Sequence, residues 1–262
     1  MIIDTHVHLD DERYSEDVDE VIKRAEEANV KVHIIPGADI KHLERAVFLS
    51  EKYENIYFSI GVHPYDIEHY DEEYLLEYAS HEKCIAVGEC GLDYFRLPDD
   101  EVEKKELKKR QKEVFIAQIK LAKRLQKPLI VHIRDASSDS KELLLEHGAG
   151  EVGGVLHCFN ADEQLLSLAE QNFYFGIGGV LTFKNARKLV QILPKIPQEK
   201  LLLETDAPYL TPHPHRGERN EPSYTTFVAK KMAELLDLSV EQIENITTAN
   251  AKRLFMDLKG VL

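Results

Sequence analysis

Eight short apolar runs, separated by charged segments of helical spacing, are the strongest constraint on how this chain of 262 residues folds. The runs are "IIDTHVH" (2–8), "VKVHIIPG" (30–37), "IYFSIGVHP" (56–64), "CIAVGECGLD" (84–93), "PLIVHIRD" (128–135), "GGVLHCFN" (153–160), "FYFGIGG" (173–179) and "KLLLETDAP" (200–208). Near-continuous apolar stretches of this length are what strands buried on both faces look like, and such strands belong to parallel sheets covered by helices. Between them lie "SEDVDEVIKRAEEA", "DIKHLERAVFLSEKY", "EEYLLEYASH", "VEKKELKKRQKEVFIAQIKLAKRLQ", "SSDSKELLLEHG", "DEQLLSLAEQN" and "NARKLVQILPKI", all read as helices. Eight strand–helix units are the number that closes a TIM (β/α)8 barrel. A doubly wound open sheet is the alternative. The segments "EPSYTTFVAKKMAELL" and "SVEQIENITTANAKRLF" read as extra C-terminal helices packed on the barrel, within one domain over residues 1–262.

A barrel of this kind concentrates its chemistry at the C-terminal ends of its strands, and the polar residues of the runs gather there. His6 and His8 close the first run, His63 the third, Glu89 the fourth, His132 the fifth, His157 the sixth, and Glu204 with Asp206 the eighth. Strand parity puts Asp4, His6 and His8 on one face and Ile3, Thr5 and Val7 on the other. Imidazole and carboxylate suit borderline metals such as zinc or manganese. Four histidines and two carboxylates exceed one tetrahedral site, and a carboxylate bridging two ions uses the surplus, which points to a binuclear centre. His33, His42, His69, His81 and His147 lie off this pattern and read as ordinary, satisfied polar residues.

Glycines beside Glu89 (Gly88 and Gly91) read as a strand-end bulge or a close backbone approach, or simply as a turn. Gly176, Gly178 and Gly179 either open one side of the mouth to a substrate or make a turn. Arg134, two residues beyond His132, reads as an anion contact, or else as a salt-bridge partner of Asp135 or Asp139. Arg216 and Arg219 are candidates for an outer phosphate path. The run Lys104, Lys105, Lys108, Lys109, Arg110 reads as a solvated helix face.

Charge limits the partners. With 33 basic against 47 acidic residues the net charge is −14, no footprint for wrapping duplex nucleic acid, so any phosphate binding is local. Cys84, Cys90 and Cys158 are odd in number and without CxxC spacing, and no charged-then-apolar signal segment precedes the first run, so a reduced, cytoplasmic protein is expected. No apolar run approaches the roughly 18 residues of a membrane span, and no obligate protein partner is evident.

Taken together, "DTHVHLD", "GECGLDY", "PLIVHIRDA" with Asp139 after it, "LLLETDAPYL" and "RGERNEP" resemble, over essentially the whole chain, the TatD-type metal-dependent deoxyribonucleases. The resemblance implies an amidohydrolase-like TIM barrel, a divalent-metal site at its mouth, and hydrolysis of phosphodiester bonds in DNA. It implies His6, His8, Glu89, His132, His157 and Asp206 as ligands with Glu89 bridging, and a substrate or supporting contact for His63 in "GVHP". "HCFNA" departs from the family, in which a small Ser-Gly pair often follows the Phe; Asn160 and Ala161 therefore bear on loop shape and substrate preference.

On this reading one ion is held by His6, His8 and Asp206 and the other by His132 and His157, with Glu89 shared. The two ions are Zn2+, Mn2+ or Mg2+. Asp206 and Glu89 are the catalytic candidates, with Asp206 accepting a proton from the attacking water. Glu204 orients a ligand, and Asp4 supports the site from behind. His63, Arg134 and Tyr94 are substrate contacts, Tyr94 being grouped with Tyr65 and Tyr209 as loop aromatics able to stack an unpaired base. The expected substrate is single-stranded DNA or DNA ends. The alternative is a metal-dependent esterase or amidohydrolase, such as a D-aminoacyl-tRNA deacylase. A metal-stabilised binding barrel without activity is disfavoured, because structural zinc sites are closed and this one sits at an open mouth.

Overall fold

A computed structural model describes residues 1–255. Its eight strands are β1 Ile2–Asp4, β2 Val30–Ile35, β3 Ile56–Ile60, β4 Cys84–Asp93, β5 Leu129–Arg134, β6 Gly154–Leu156, β7 Phe173–Ile177 and β8 Leu201–Leu203. They pair in parallel in chain order, and the chain is a TIM barrel. Helices α1 Val18–Glu27, α2 Ile40–Lys52, α3 Glu72–Ala79, α4 Glu101–Leu125, α5 Ser137–Glu146 and α6 Arg187–Ile192 lie between the strands, and α7 Thr225–Leu236 and α8 Val240–Leu254 follow β8. Residues 256–262 of the expected domain lie outside the described residues.

Two apolar layers result. The inner one takes Ile3, Ile34, Tyr57, Ile85, Ile130, Val155, Tyr174 and Leu202 from the eight strands and is plugged by Ala251, Leu254 and Phe255 at the end of α8. The outer layer joins the alternate strand residues to the helices. Plugging one end of the barrel leaves only the opposite mouth open to ligands.

Three departures from the sequence reading matter for the site. First, β1, β6 and β8 are only three residues long, so His6, His8, His157, Glu204 and Asp206 lie beyond the ladder and not within it. Second, parity fails in the first run: Ile3 belongs to the inner layer and Val7 to the outer one, because the strand stops at Asp4 and the chain bends at Thr5. Third, "DEQLLSLAEQN" forms a 3-10 helix, Glu163–Gln171, with Leu165 and Leu168 buried three residues apart. Nine residues span about 18 Å in that form but only about 13.5 Å as an α-helix, which lets a short connection run the length of the barrel.

Between β1 and β8 the barrel closes through the segments that follow them. Thr5 N donates to Leu203 O (3.1 Å), Asp206 N to His6 O (2.9 Å) and His8 N to Ala207 O (2.8 Å). Asp4 fastens the same seam: its carboxylate accepts from Thr205 N (3.0 Å) and Thr205 Oγ1 (2.6 Å).

Candidate metal centre

His6, His8 and Asp206 are delivered by this seam. His6 Nε2 lies 3.3 Å from His8 Nε2 and 3.7 Å from Asp206 Oδ1, and His8 Nε2 lies 3.4 Å from Asp206 Oδ1. Glu89 Oε2 completes the set at 3.3 Å from His6 and 3.9 Å from His8. A tetrahedron of donors about 2.0–2.1 Å from zinc has edges of about 3.3–3.4 Å. The donor atoms of His6, His8 and Asp206 are thus spaced to share a cation, with Glu89 beside the two histidines, and their chemistry fits one.

Glu89 reaches the mouth through an irregularity in β4. Val87 pairs with Leu129 and Cys90 with Val131, so β4 carries one more residue than β5 over this interval. Val87 and Cys90 both enter the outer layer, and Glu89 between them turns inward. The flanking glycines are required by close approach: both have strongly positive φ, and a Cβ would meet Ile130 O at 2.4 Å on Gly88 and His132 O at 2.0 Å on Gly91. Gly176 serves neither substrate entry nor a turn; a Cβ there would lie 2.1 Å from the Glu204 carboxylate, which needs the space.

The other oxygen of Glu89 faces a second group. Oε1 lies 2.9 Å from His132 Nδ1, 3.7 Å from His63 Nε2 and 3.9 Å from His157 Nε2. Behind these rings stand two further carboxylates: Asp93 Oδ2 is 2.9 Å from His132 Nε2, and Glu204 Oε1 is 3.1 Å from His157 Nδ1. Glu204 also accepts from Cys158 N at 2.6 Å. A carboxylate on the far nitrogen of an imidazole fixes its tautomer and raises its basicity as a ligand. The rings of His6 and His157 stack with centroids 3.4 Å apart, so the two groups share a wall as well as Glu89.

Electrostatics also call for cations here. Burial opposes ionisation of Glu89, yet His6 and His132 hold its carboxyl well below the usual range. Burial alone would depress His157, but Glu204 and Asp206 outweigh it and push the imidazole up to about 10. His63, with burial dominant, is pushed down to about 3 and is a neutral donor or acceptor at ordinary pH.

Several expected contacts are placed differently. Tyr94 turns away from the mouth: β4 ends at Asp93, which faces His132, so the next side chain points outward and donates to Asp139 Oδ2 (2.7 Å) under Lys108. Asp4 supports backbone at the seam, not an imidazole; His6 N lies 3.4 Å from its Oδ1. Arg219 is paired with Asp17 (2.6 Å) and Arg216 donates to Thr211 O (2.8 Å), and neither lines the mouth. His33 is fully buried, and both its ring nitrogens lack a hydrogen-bond partner among the described residues. The basic run on α4 is a solvated face, with Lys104 on Glu101 and Lys109 near Glu106 and Glu113.

Arg134 does sit at the mouth, and its guanidinium stacks on Phe95 (3.6 Å to the ring centroid) instead of pairing with Asp139, which Lys112 holds at 2.8 Å. Arg96, 5.5 Å from the ring centroid of Tyr65, lines the same cavity of about 740 Å3. Asp93, Arg96 and Phe95 were not singled out in the sequence. Asp93 was findable, since it ends the run "CIAVGECGLD" as Glu89 does not; the two loop residues carried no signal. Among the described residues no helix is long and apolar enough to cross a membrane.

A closed parallel barrel whose mouth gathers five histidines and Asp206 around Glu89 defines a metal-binding hydrolase of the TIM-barrel type. The profile of the TatD related DNase family matches residues 3–256, and the chain belongs to that family. It is 46% identical over 261 residues, covering 97% of this chain and 99% of the relative, to YabD of Bacillus subtilis (strain 168), an uncharacterized metal-dependent hydrolase. It is 33% identical to the 3'-5' ssDNA/RNA exonuclease TatD of Shigella flexneri serotype 5b (strain 8401), over 97% of this chain and 98% of that one. The crystal structure of YJJV, a TatD homologue from Escherichia coli K12, superposes with a TM-score of 0.87 at 30% identity, covering 97% and 98% of the two chains. The chain is a metal-dependent hydrolase of the TatD family.

Proposed function

We propose that the protein is a metal-dependent nuclease that hydrolyses phosphodiester bonds at the ends of single-stranded DNA, with RNA as a related substrate. His6, His8 and Asp206 would hold one divalent ion and His132 with His157 a second, with Glu89 shared between the two groups. When bound, such ions polarise a phosphoryl oxygen and acidify water, so that hydrolysis runs at neutral pH. Asp206, kept ionised because His157 and His8 outweigh its burial, accepts the proton of the attacking water. Asp93 and Glu204 hold the rings of His132 and His157 in place.

The observation that carries the reading is the pairing of this carboxylate-bridged donor set with two mouth arginines that no carboxylate neutralises among the described residues. In a chain of net charge −14, Arg96 and Arg134 are available to an anion, each against an aromatic ring that can also take a base face. The Shigella flexneri relative's name, a 3'-5' ssDNA/RNA exonuclease, supports the same direction. The test is a substrate panel: metal-loaded protein with end-labelled single-stranded DNA, RNA, duplex DNA, tRNA charged with a D-amino acid, and simple esters. Metal-dependent shortening of the single strands is expected. Cleavage confined to the aminoacyl or simple esters would replace the nuclease reading with the esterase one.

A further inference from the structure

A second cavity, of about 710 Å3, adjoins the mouth where the loops after β5, β6 and β7 meet. Arg134 lines both cavities and stands between them. Beyond it the walls are polar: Ser137 and Ser138 at the start of α5, Asn160 after β6, Gln164, and Lys188 with Gln191 on α6. The volume is ample for a nucleotide-sized ligand.

The two sides of the mouth differ in sign. Toward β1, β2 and β3 it carries Asp10, Asp11, Glu12, Asp39 and Asp66. Toward β4 and β5 it carries Arg96 and Arg134, with Asp93 held against His132. A polyanion seated at the metal centre is repelled on the first side and drawn over Arg134 on the second.

What lies past Arg134 continues this path. Lys188 is exposed and makes no close ion pair among the described residues, its charge acting on Asp162 in the same wall. Helix α5 begins after Ala136, whose side chain cannot accept a hydrogen bond, so the amides of its first turn have no side-chain cap where Ser137 and Ser138 line the cavity. Of the carboxylates in the wall, Glu163 is neutralised by Lys195 (2.6 Å) and Asp162 accepts from Gln164 N and Nε2. Asp135 and Asp162 remain as negative groups in the wall, the charge of Lys188 acting on the second. Asn160 closes the near wall by donating to Ser137 Oγ at 3.1 Å.

We infer that this cavity is a subsite for the nucleotide next to the scissile one, with Lys188 and the first turn of α5 facing its phosphate and Arg134 the phosphate between the two units. Phe95, 55% exposed beside Arg134, offers a face for the intervening base. The inference rests on the nuclease reading above, and its experiment separates the two.

Wild type, Lys188→Glu and Gln191→Trp, each metal-loaded and checked for folding by circular dichroism, are compared on bis(p-nitrophenyl) phosphate, a dinucleotide and a trinucleotide. The minimal diester reaches only the mouth. In wild type kcat/KM should rise from dinucleotide to trinucleotide. In Lys188→Glu the preference for trinucleotide over minimal diester should fall about tenfold, the scale of one charge-assisted contact, through KM and not kcat. The salt slope of log KM should weaken by roughly 0.7, the value for one phosphate contact on a single strand. Gln191→Trp should reproduce the loss by filling the cavity. An unchanged preference in both variants, or an equal loss on all three substrates, overturns the subsite while leaving the nuclease reading in place. No cleavage of any oligonucleotide by the wild type overturns both.

Discussion

The two halves of the proposed metal centre share Glu89 but are built differently. On the Oε2 side, His6, His8 and Asp206 come from a seam held by backbone hydrogen bonds and by Asp4, and their donor atoms stand 3.3–3.7 Å from one another. On the Oε1 side, His132 approaches to hydrogen-bond distance, 2.9 Å, while His157 stands off at 3.9 Å. The first half is spaced for a cation as it stands; the second must open the His132–Glu89 contact to admit one. Preorganisation lowers the cost of binding, so the seam half should fill first and more tightly. A divalent-ion titration followed by calorimetry should show two phases, with His8→Ala removing the tighter one and His132→Ala the weaker. Loss of the tighter phase in His132→Ala would reverse the assignment.

The largest effect is expected where the halves meet. Glu89→Ala removes a donor from both, and activity should fall on the order of 10⁴-fold, as when one member of a catalytic unit is lost, with metal content below two ions per chain. Activity within tenfold of wild type would break the comparison, since neither half would then depend on the shared carboxylate. A smaller, one-sided effect is expected for Asp93→Asn, which keeps a hydrogen-bonding group behind His132 but removes its charge. Affinity for the weaker ion should fall about 10–100-fold, the usual cost of losing such a partner, with the tighter ion unmoved.

How much of this was legible follows from the same physics. The eight strands were visible because parallel strands buried on both faces leave continuous apolar runs, and the ligand candidates were visible because six of the eight runs carry a histidine or carboxylate in their later part. The run lengths misled where the chain leaves the ladder yet stays buried. Val7 and Leu9 are fully buried beyond β1, so "IIDTHVH" reads as one strand although parity breaks at Thr5. Tyr94 was misplaced because a residue just past a strand end was taken to face the mouth, whereas Asp93 faces it and the next side chain points outward to Asp139. The glycines announced close approaches, but which carbonyl or carboxylate they approach depends on strand neighbours more than twenty residues away. Arg96, Phe95 and the second cavity are loop properties, set by how three loops meet, and no periodicity encodes that.

The smallest effect separates the site from the barrel that carries it. Acid removes metal from imidazole and carboxylate ligands by protonating them, but it also acts on His33, a buried histidine in β2 with no carboxylate beside it among the described residues. Burial pushes His33 down from 6.5 to about 4, so the fold keeps it neutral while the unfolded chain protonates it. Its neutral form costs no stability above pH 6.5; as pH falls from there toward 4 the unfolded state binds the extra proton and stability declines, by about 1 kcal/mol at pH 5.5. Urea unfolding of the chelator-treated protein at pH 7.5 and 5.5 measures this directly, and His33→Leu should reduce the difference by that amount. The same substitution should leave the acid limb of the activity profile in place, because the groups around Glu89 still titrate. If His33→Leu shifted that limb instead, loss of the barrel and not of the metal would govern the acid side.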